Sequence, residues 1–446
     1  MHNFIFRWIA TLRQNYWFLP STMTFGAVFL GILIPVIDTW LGSDWIQAVG
    51  FIRATGVDGA RAILTTLAGA TLGVAGVAFS VTIVAVSFAS SNYGPRLIGN
   101  FMADRTNQII LGVFVATFVY CITVLSTVHS STETSDTTFD AFVPHISVYV
   151  ALLFTLAAVG ALIIYIHHIP ESINIMNLTA GIGNKLHRAI VRMLEEEDQL
   201  GRHTQDASIE PWRENPQFKD ELTIYAKTAG FIQEFDIEDL SDFARKHCVQ
   251  FILHRAPGDF LVAGEPVLSA RHARSGDKSV SNYMRDCYTQ GANRTDVQDI
   301  LFLSDQLVEV LGRALSSGVN DPQSAILCLN WLRAGLVAFV QRAPVQQAGT
   351  HDPVLYRRVS FEDILDRSFD EMRQYVAADR TATLHALNVL KALASAASRQ
   401  EMVDACVRQM QQLARSANEL LAETAAREEI ETELDKMLRE IESREG

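Results

Sequence analysis

A row of small residues is the first feature of this sequence whose residue types and spacing could support chemistry. It lies in a stretch that has no charged residue between Ala62 and Ser91. Hydroxyl-bearing side chains at helical spacing can line a water-filled path, and small side chains also let two helix backbones approach closely. Close packing is the commoner meaning of such a row, and the two roles are compatible in a symmetric assembly. The row consists of Gly69, Gly73, Gly76, Ser80, Ser87 and Ser91, with only Ile83 or Val84 interrupting it.

The second candidate site is the polar segment Ser317-Gly318-Val319-Asn320-Asp321-Pro322. Capping explains its residue types, because Gly318 can end one helix, Asp321 can cap the next, and Pro322 suits the first helical position. A helix N-terminus surrounded by Ser317, Asn320 and Ser324 could also hold a small polar ligand or a neighbouring chain. The capping interpretation is favoured, and the segment is kept as a candidate ligand or subunit contact.

Catalytic motifs are absent from the sequence. It contains no phosphate-binding loop, nucleophile elbow, zinc-protease motif or dinucleotide fingerprint. The five cysteines are far apart without a C-x-x-C pair, and the histidines have no metal-ligand spacing. We therefore expect no enzyme activity, no metal site and no cofactor. The apolar stretches also lack the central charged residue that ion-coupled carriers use, since Asp38 lies at an outer end.

Four apolar stretches must position these residues, and each is long enough for a membrane-spanning helix. They cover residues 17–41, 62–91, 108–128 and 146–166, and together they predict a transmembrane domain over residues 17–170. Residues 1–16 mix aromatic and basic side chains, as an interfacial helix does, and Gly94 and Pro95 predict the end of the second span and a hinge.

The distribution of basic residues predicts the orientation of the spans, because Lys and Arg near span ends stay on the cytoplasmic side. The loop from Ser130 to Val143 is acidic and should lie outside. Both termini should be cytoplasmic, in an inner membrane. The N-terminus and the turn after the second span carry the supporting arginines, whereas the first loop carries two that disagree: Arg7, Arg13, Arg96 and Arg105 against Arg53 and Arg61.

Everything after Pro170 is predicted to be cytosolic. A connecting helix and loop occupy residues 171–215, a small α+β module residues 216–295, and a helical domain residues 296–446. Within the module, short strands around a helix at 237–247 are indicated by alternating patterns and Gly/Pro turns. In the helical domain we expect helices at 296–315, 322–341, 362–377 and 381–395, and one from 400 to the end. The fold class is thus a four-span helical membrane protein with a cytosolic α+β and then all-α C-terminal part.

The sequence resembles a family of bacterial predicted inner-membrane proteins known as domain of unknown function 2254. The likeness covers most of the chain, although members often have Ser at the position of Gly94 and Pro at that of Ser317. It implies a multi-span membrane part with a cytosolic C-terminal domain and brings no established activity. The segments that carry it are Phe88-Ala-Ser-Ser-Asn-Tyr-Gly-Pro-Arg-Leu97, Asp104-Arg-Thr-Asn-Gln108, Gly230-Phe-Ile-Gln233, Pro257-Gly-Asp-Phe260, Gly264-Glu-Pro266 and Ala314-Leu-Ser-Ser-Gly-Val-Asn-Asp-Pro322.

These features favour a homo-oligomeric, channel-like membrane protein whose second span lines or seals a path for a small ion or solute and whose cytosolic part senses or gates. The layout resembles small-conductance mechanosensitive channels by analogy only. The alternative is a membrane-anchored sensor or scaffold whose cytosolic part binds a ligand or a partner protein. Nucleic acid is not an expected partner, because the net charge is −13 and no basic stripe occurs.

Overall fold

The computed structural model describes residues 17–41, 56–97, 104–130, 132–134, 137–139, 142–199, 221–247, 249–271, 278–341 and 354–443. The chain is mostly helical and divides into two compact units, Met1–Asn177 and Leu178–Gly446. The predicted interfacial segment 1–16, most of the connector 42–59 and the loop 201–215 lie outside the described residues.

The first unit contains four long apolar helices and a short hairpin. Helix α3 packs against each of the other three helices, so it forms the centre of this unit. The two strands of the hairpin are antiparallel and lie within the predicted loop 130–143. The elements are α1 (Phe18–Leu41), α2 (Val57–Tyr93), α3 (Arg105–Leu125), β1 (Thr132–Thr134), β2 (Thr137–Phe139) and α4 (His145–Ser172).

The end of α4 differs from the prediction by a few residues. Pro170 was expected to end the fourth span, but the helix continues to Ser172. A proline in the last turn removes a single hydrogen bond, so it does not force the end of the helix there. Helix α5 (Ile175–Gln199) begins after Ile173 and Asn174, and the Asn174 side chain accepts a hydrogen bond from the Met176 amide (2.9 Å).

The second unit begins with two small sheets. One has the strand order β3-β7-β5-β9, antiparallel except for the β5–β9 pair, and the other is antiparallel with the order β6-β4-β8. The Asp236 carboxylate caps α6 by accepting from the Asp239 amide (3.2 Å), as the pattern suggests. The pattern missed α7 and β8. The elements are β3 (Glu221–Tyr225), β4 (Gly230–Phe235), α6 (Ile237–His247), β5 (Gln250–Leu253), β6 (Phe260–Leu261), β7 (Pro266–Arg271), α7 (Lys278–Asp286), β8 (Tyr288–Gly291) and β9 (Val354–Leu355).

The rest of the second unit is a helical assembly, which confirms the helical C-terminal region. The core is formed by α8 on α9, α9 on α11, and α10 and α11 on α12. The predicted single helix from residue 400 onwards is wrong, because it breaks into two that pack on each other. The helices are α8 (Ile300–Ala314), α9 (Pro322–Val340), α10 (Phe361–Val376), α11 (Arg380–Ala396), α12 (Gln400–Leu420) and α13 (Thr424–Glu442).

The break between α12 and α13 has no Gly or Pro to announce it. Leu421 and Glu423 adopt extended backbone angles, and the Arg427 side chain donates to the Leu421 carbonyl oxygen (2.6 Å). Helix α13 then folds back along α11, where Arg380 pairs with Glu429 (2.5 Å). Tertiary contacts therefore place this turn, which local sequence signals do not indicate.

Five helices among the described residues are long and apolar enough to cross a membrane. They are α1 to α4, as the four-span prediction has it, and α9 of the second unit. Half of the apolar window of α9 is buried within the chain. A long apolar helix that is covered by its own unit has the composition of a core helix, so length and hydropathy alone do not decide the number of spans.

Candidate functional site

The row of small residues on α2 lies on a face that the described residues leave exposed. All six members of the row are exposed. A Cβ atom placed on Gly69, Gly73 or Gly76 would meet no atom of the described residues within 4 Å. From Gly69 to Ser91 the row extends over ~33 Å, about the thickness of the hydrocarbon core.

The opposite side of α2 is the one that packs within the unit. Its buried residues are alanines and threonines, with one leucine. The Tyr165 hydroxyl of α4 donates to the Ala78 carbonyl oxygen and lies 3.0 Å from the Thr82 hydroxyl, which joins the two helices. The buried residues are Ala60, Leu64, Ala68, Thr71, Ala75, Ala78, Thr82, Ala85 and Ala89. The helix therefore has one small-residue face that packs inside the first unit and a second one that is exposed among the described residues.

Close helix approach inside the first unit depends on two glycines that the sequence analysis did not single out. A Cβ on Gly31 of α1 would lie 2.8 Å from Cβ of Thr123, and one on Gly112 of α3 would lie 2.5 Å from Sδ of Met23. Gly31 follows Ala27 and Gly112 precedes Ala116 at four-residue spacing, so these small-residue pairs were the sequence signal that could have found them.

Polar contacts join the helix ends of the first unit. At one end, the Asp38 carboxylate accepts from the Ile146 amide (2.9 Å) and the Ser147 amide (3.0 Å) at the start of α4. At the other end, Asp104 caps α3 and pairs with His168 of α4. The end of α1 thus lies beside the start of α4, and the start of α3 lies beside the end of α4. Helices α1 and α3 are therefore each antiparallel to α4.

One arginine that disagreed with the predicted orientation has a structural role. Arg61, at the start of α2, donates from Nη2 to the Val128 carbonyl oxygen, just beyond the end of α3 (3.1 Å). A cation there neutralises the negative end of the helix dipole, which gives this arginine a purpose independent of topology.

The predicted hinge after α2 has an unusual backbone. Gly94 has φ 124°, a value that favours glycine, and its amide donates to the Ser90 carbonyl oxygen (3.2 Å). Pro95 opens a short 3₁₀ turn that ends at Leu97. The two residues therefore end the helix abruptly, as the sequence indicates.

The second candidate site is organised by capping. One Asp321 carboxylate oxygen accepts from the Gln323 amide (3.1 Å) and the Ser324 amide (3.2 Å), and the other accepts from the Ser324 hydroxyl. Ser317 and Asn320 are exposed, and Ser324 is buried. The structure therefore satisfies Asp321 and Ser324 internally.

One detail of this turn differs from the prediction. Helix α8 ends at Ala314, one residue before the predicted end at 315, and the residue with a left-handed backbone is Asn320 (φ 49°) instead of Gly318. The Asp321 amide then reaches back to the Ala314 carbonyl oxygen (2.8 Å). Asn tolerates positive φ better than most residues, so it takes the position that a glycine was expected to occupy.

A buried ionic cluster in the second unit was missed altogether. The Asp305 side chain, 1% exposed, accepts from Arg294 Nη1 (2.5 Å) and Arg367 Nε (2.6 Å). Arg294 Nε also donates to Asp299 (2.7 Å), which caps α8 through the Phe302 amide (3.0 Å). Two positive and two negative charges are thereby balanced between the segment after β8, α8 and α10.

Burial has a clear effect on the electrostatics of this cluster. It raises the pKa of the Asp299 carboxyl above its ordinary value, and the Arg294 guanidinium opposes that rise. Gly258 contacts the same carboxylate so closely that a Cβ there would collide with Asp299. The four charged residues are spread over more than seventy positions, so no local spacing predicted that they meet.

The described residues contain no group of three or more histidine, cysteine or acidic side chains placed to hold a metal ion. Four cysteines are buried free thiols, namely Cys121, Cys287, Cys328 and Cys406. Burial raises the pKa of Cys406 to about 12, so its reactive thiolate is scarce near neutral pH.

Comparison with known proteins identifies the family of this chain. A 340-residue stretch is 27% identical to an uncharacterised protein of Mycobacterium tuberculosis and 26% identical to one of Mycobacterium bovis. Each match covers 74% of this chain and 62% of the relative, so the chain spans less than two thirds of the length of these relatives. The model of the predicted membrane proteins called DUF2254 matches residues 13–392. The chain therefore belongs to the DUF2254 family of predicted membrane proteins.

Proposed function

We propose that this protein is a four-span membrane protein that assembles from several copies through the Gly/Ser face of α2, and that this assembly forms a channel-like path for a small ion or solute. The first unit is the membrane part, with α1 to α4 as the spans. The second unit lies on the cytoplasmic side of an inner membrane, where it senses or gates. The proposal includes no catalytic step, since the sequence carries no catalytic motif.

The observation that carries the proposal is the uncovered Gly/Ser face. A face of small residues gives lipid chains little to pack against, whereas a second helix backbone can approach it closely. The Ala/Thr face packs α2 within the first unit, whereas around Gly69, Gly73 and Gly76 the described residues leave room for another copy. Identical copies around one axis would bring these faces together.

The contacts at the helix ends favour four antiparallel spans. Asp38 and Arg61 make their contacts at one end of the helices, and the Asp104–His168 pair lies at the other. An even number of spans returns the chain to its starting side. With α9 as a buried helix of the second unit, both termini are cytoplasmic.

A membrane-anchored sensor or scaffold is the second candidate, and one observation favours it. Ile83 and Val84 are both exposed and place large apolar side chains in the middle of the row. In a shared path they would form an apolar constriction, which opposes the passage of ions. In a scaffold they would serve as packing between copies.

The number of copies per particle in detergent tests the proposed assembly through the Gly/Ser face. We expect Gly73→Leu to dissociate the oligomer in mild detergent, because a leucine in every copy holds the backbones apart. Gly26→Leu is the matched control, since Gly26 is also an exposed glycine of an apolar helix with nothing within 4 Å. Mass measurement by light scattering compares the variants. A wild-type monomer, or equal effects of the two substitutions, would disprove the interface.

Conduction separates the channel from the scaffold. We expect Ser80→Asp to change or open an ion current in planar bilayers, because it adds a charge to each copy along the shared axis, while Ser80→Ala should have little effect. If neither the wild type nor Ser80→Asp conducts while Gly73→Leu still breaks the oligomer, the scaffold interpretation replaces the channel.

A further inference from the structure

We propose that the outer face of α5 binds the phosphate headgroups of anionic lipids in the membrane that α4 crosses. The outer face consists of Asn177, Gly181, Asn184, Arg188 and Arg192, all exposed and at helical spacing. This inference depends on the proposed role of α4 as the fourth span and does not depend on the oligomer.

The inner face of α5 is held by the second unit. A Cβ on Gly183 would lie 2.6 Å from the Trp331 ring, and one on Gly335 of α9 would lie 2.7 Å from the Leu186 side chain. His187 Nδ1 is 3.0 Å from the Ala334 carbonyl oxygen. Because α9 occupies this side of α5, the arginines on the other side point away from the helical core.

The two arginines of the outer face are exposed to solvent. Arg188 and Arg192 are one helical turn apart, and Arg188 Nε donates only within its helix, to the Asn184 carbonyl oxygen (3.2 Å). Neither takes part in an ion pair among the side chains that the structure describes. Lys185, at the edge of the face, is paired with Asp296 (2.7 Å). Guanidinium groups match phosphate geometry well, since they donate two parallel hydrogen bonds.

Charge along α5 changes sign between its middle and its end, so an anionic surface favours one part of the helix over the other. From Ile173 to Leu194 the chain has no acidic residue and three basic ones, Lys185, Arg188 and Arg192. Four acidic residues follow at once, from Glu195 to Asp198. An anionic membrane surface attracts the basic segment from Lys185 to Arg192 and repels the acidic end. The net charge of −13 of the whole chain makes other surfaces less favourable for this contact.

The covalent connection supplies the proximity. Only Ile173 and Asn174 separate α4 from α5. If α4 spans the bilayer, the start of α5 is at the headgroup level, and Arg188 and Arg192 are tethered within ~26 Å of it along the helix. The tether raises the effective concentration of lipid at the two arginines. A weak contact of two arginines is then sufficient to be occupied, because each basic residue near an anionic surface contributes on the order of 1 kcal/mol.

The experiment uses the full chain in nanodiscs of phosphatidylcholine, with or without phosphatidylglycerol. A donor dye is attached at Asn184→Cys in a Cys248→Ser background, and an acceptor dye is on a lipid headgroup. We expect more energy transfer when phosphatidylglycerol is present. Arg188→Glu with Arg192→Glu should lower the ratio of bound to unbound α5 about 30-fold or more.

Two controls make the result specific. Arg415→Glu with Arg439→Glu changes the charge equally at exposed positions of α12 and α13, and should leave the transfer unchanged. Arg188→Lys with Arg192→Lys should keep most of the lipid dependence. Higher salt should reduce the energy transfer measured for the wild type, because salt screens the attraction between the arginines and the lipid. This tests the contact without a substitution.

Equal transfer in the two lipid compositions would overturn the proposal, as would an equal loss in the Arg415/Arg439 control. The Gly73→Leu experiment reads the mass of the assembly and does not involve these arginines. Failure of the lipid contact and failure of the proposed function can therefore be told apart.

Discussion

The Asp305 carboxylate shows how a single buried charge can join separate segments. It lies on α8 and receives hydrogen bonds from Arg294, in the segment after β8, and from Arg367 on α10. Buried ion pairs stabilise little relative to apolar packing, but removing one partner leaves the other charge uncompensated. The charges of the cluster are therefore balanced only when α8, α10 and the segment after β8 are packed together, so the cluster favours this arrangement.

We predict that Asp305→Asn lowers the free energy of unfolding of the second unit by on the order of 3 kcal/mol, because two arginines lose their shared carboxylate. Thermal unfolding of the full chain, followed by circular dichroism, measures the effect. Asp435→Asn, at an exposed position of α13, is the control and should change little. Equal shifts in the two variants would show that the cluster contributes nothing specific.

The cap of α9 is a second residue-scale feature, and its effect can be isolated. Asp321→Ala should cost about 1 kcal/mol of stability, because the amides of the first helical turn lose their acceptor. Asp321→Asn keeps an acceptor at the same position and should retain most of the stability. A loss of ligand response or assembly at normal thermal stability would instead favour the alternative role of this turn as a binding site.

At the scale of elements, the first unit has two small-residue surfaces, one between α1 and α3 and one on α2, and they differ in what lies against them. Helices α1 and α3 approach each other closely through Gly31 and Gly112, inside one chain. The Gly/Ser face of α2 has no such neighbour among the residues described. Helices of similar composition thus use small residues in two ways.

Gly112→Val tests the first of these surfaces. The added side chain would collide with Met23 and approach Pro20 Cα, which is 3.3 Å from an added Cβ. We expect a loss of about 1–3 kcal/mol, because overpacking forces one helix to shift. The midpoint of thermal unfolding in detergent measures it, with Gly26→Val as the control whose side chain meets open space. A stable Gly112→Val variant would contradict the close approach of α1 and α3.

For the whole molecule, topology is the property from which the functional proposals begin. We predict that an impermeant thiol reagent added to intact cells labels Ser130→Cys and spares Gln400→Cys, since the proposed topology places the first outside and the second in the cytosol. Four native cysteines are buried, so a Cys248→Ser background keeps other labelling low. Labelling at Gln400→Cys would reverse or break the proposed arrangement of spans.

Much of the fold follows from local information in the sequence. Long uncharged runs indicate α1 to α4, alternation with Gly/Pro turns indicates most of the strands, and the caps Asp236 and Asp321 precede the helices they begin. These signals are local, because helix formation and capping depend on residues within one or two turns. Membership of a membrane-protein family could likewise be recognised from short segments of sequence.

Tertiary structure decided which of these local features meet. Helical spacing shows that Gly69, Gly73 and Gly76 share a face, but it does not show which face of α2 the chain covers. Spacing also could not reveal the contact of Asp305 with Arg367, or the turn after Leu420 that has neither Gly nor Pro. The physical reason is common to these cases: packing and ion pairing depend on distance in space, and residues far apart in sequence become neighbours only when the chain has folded.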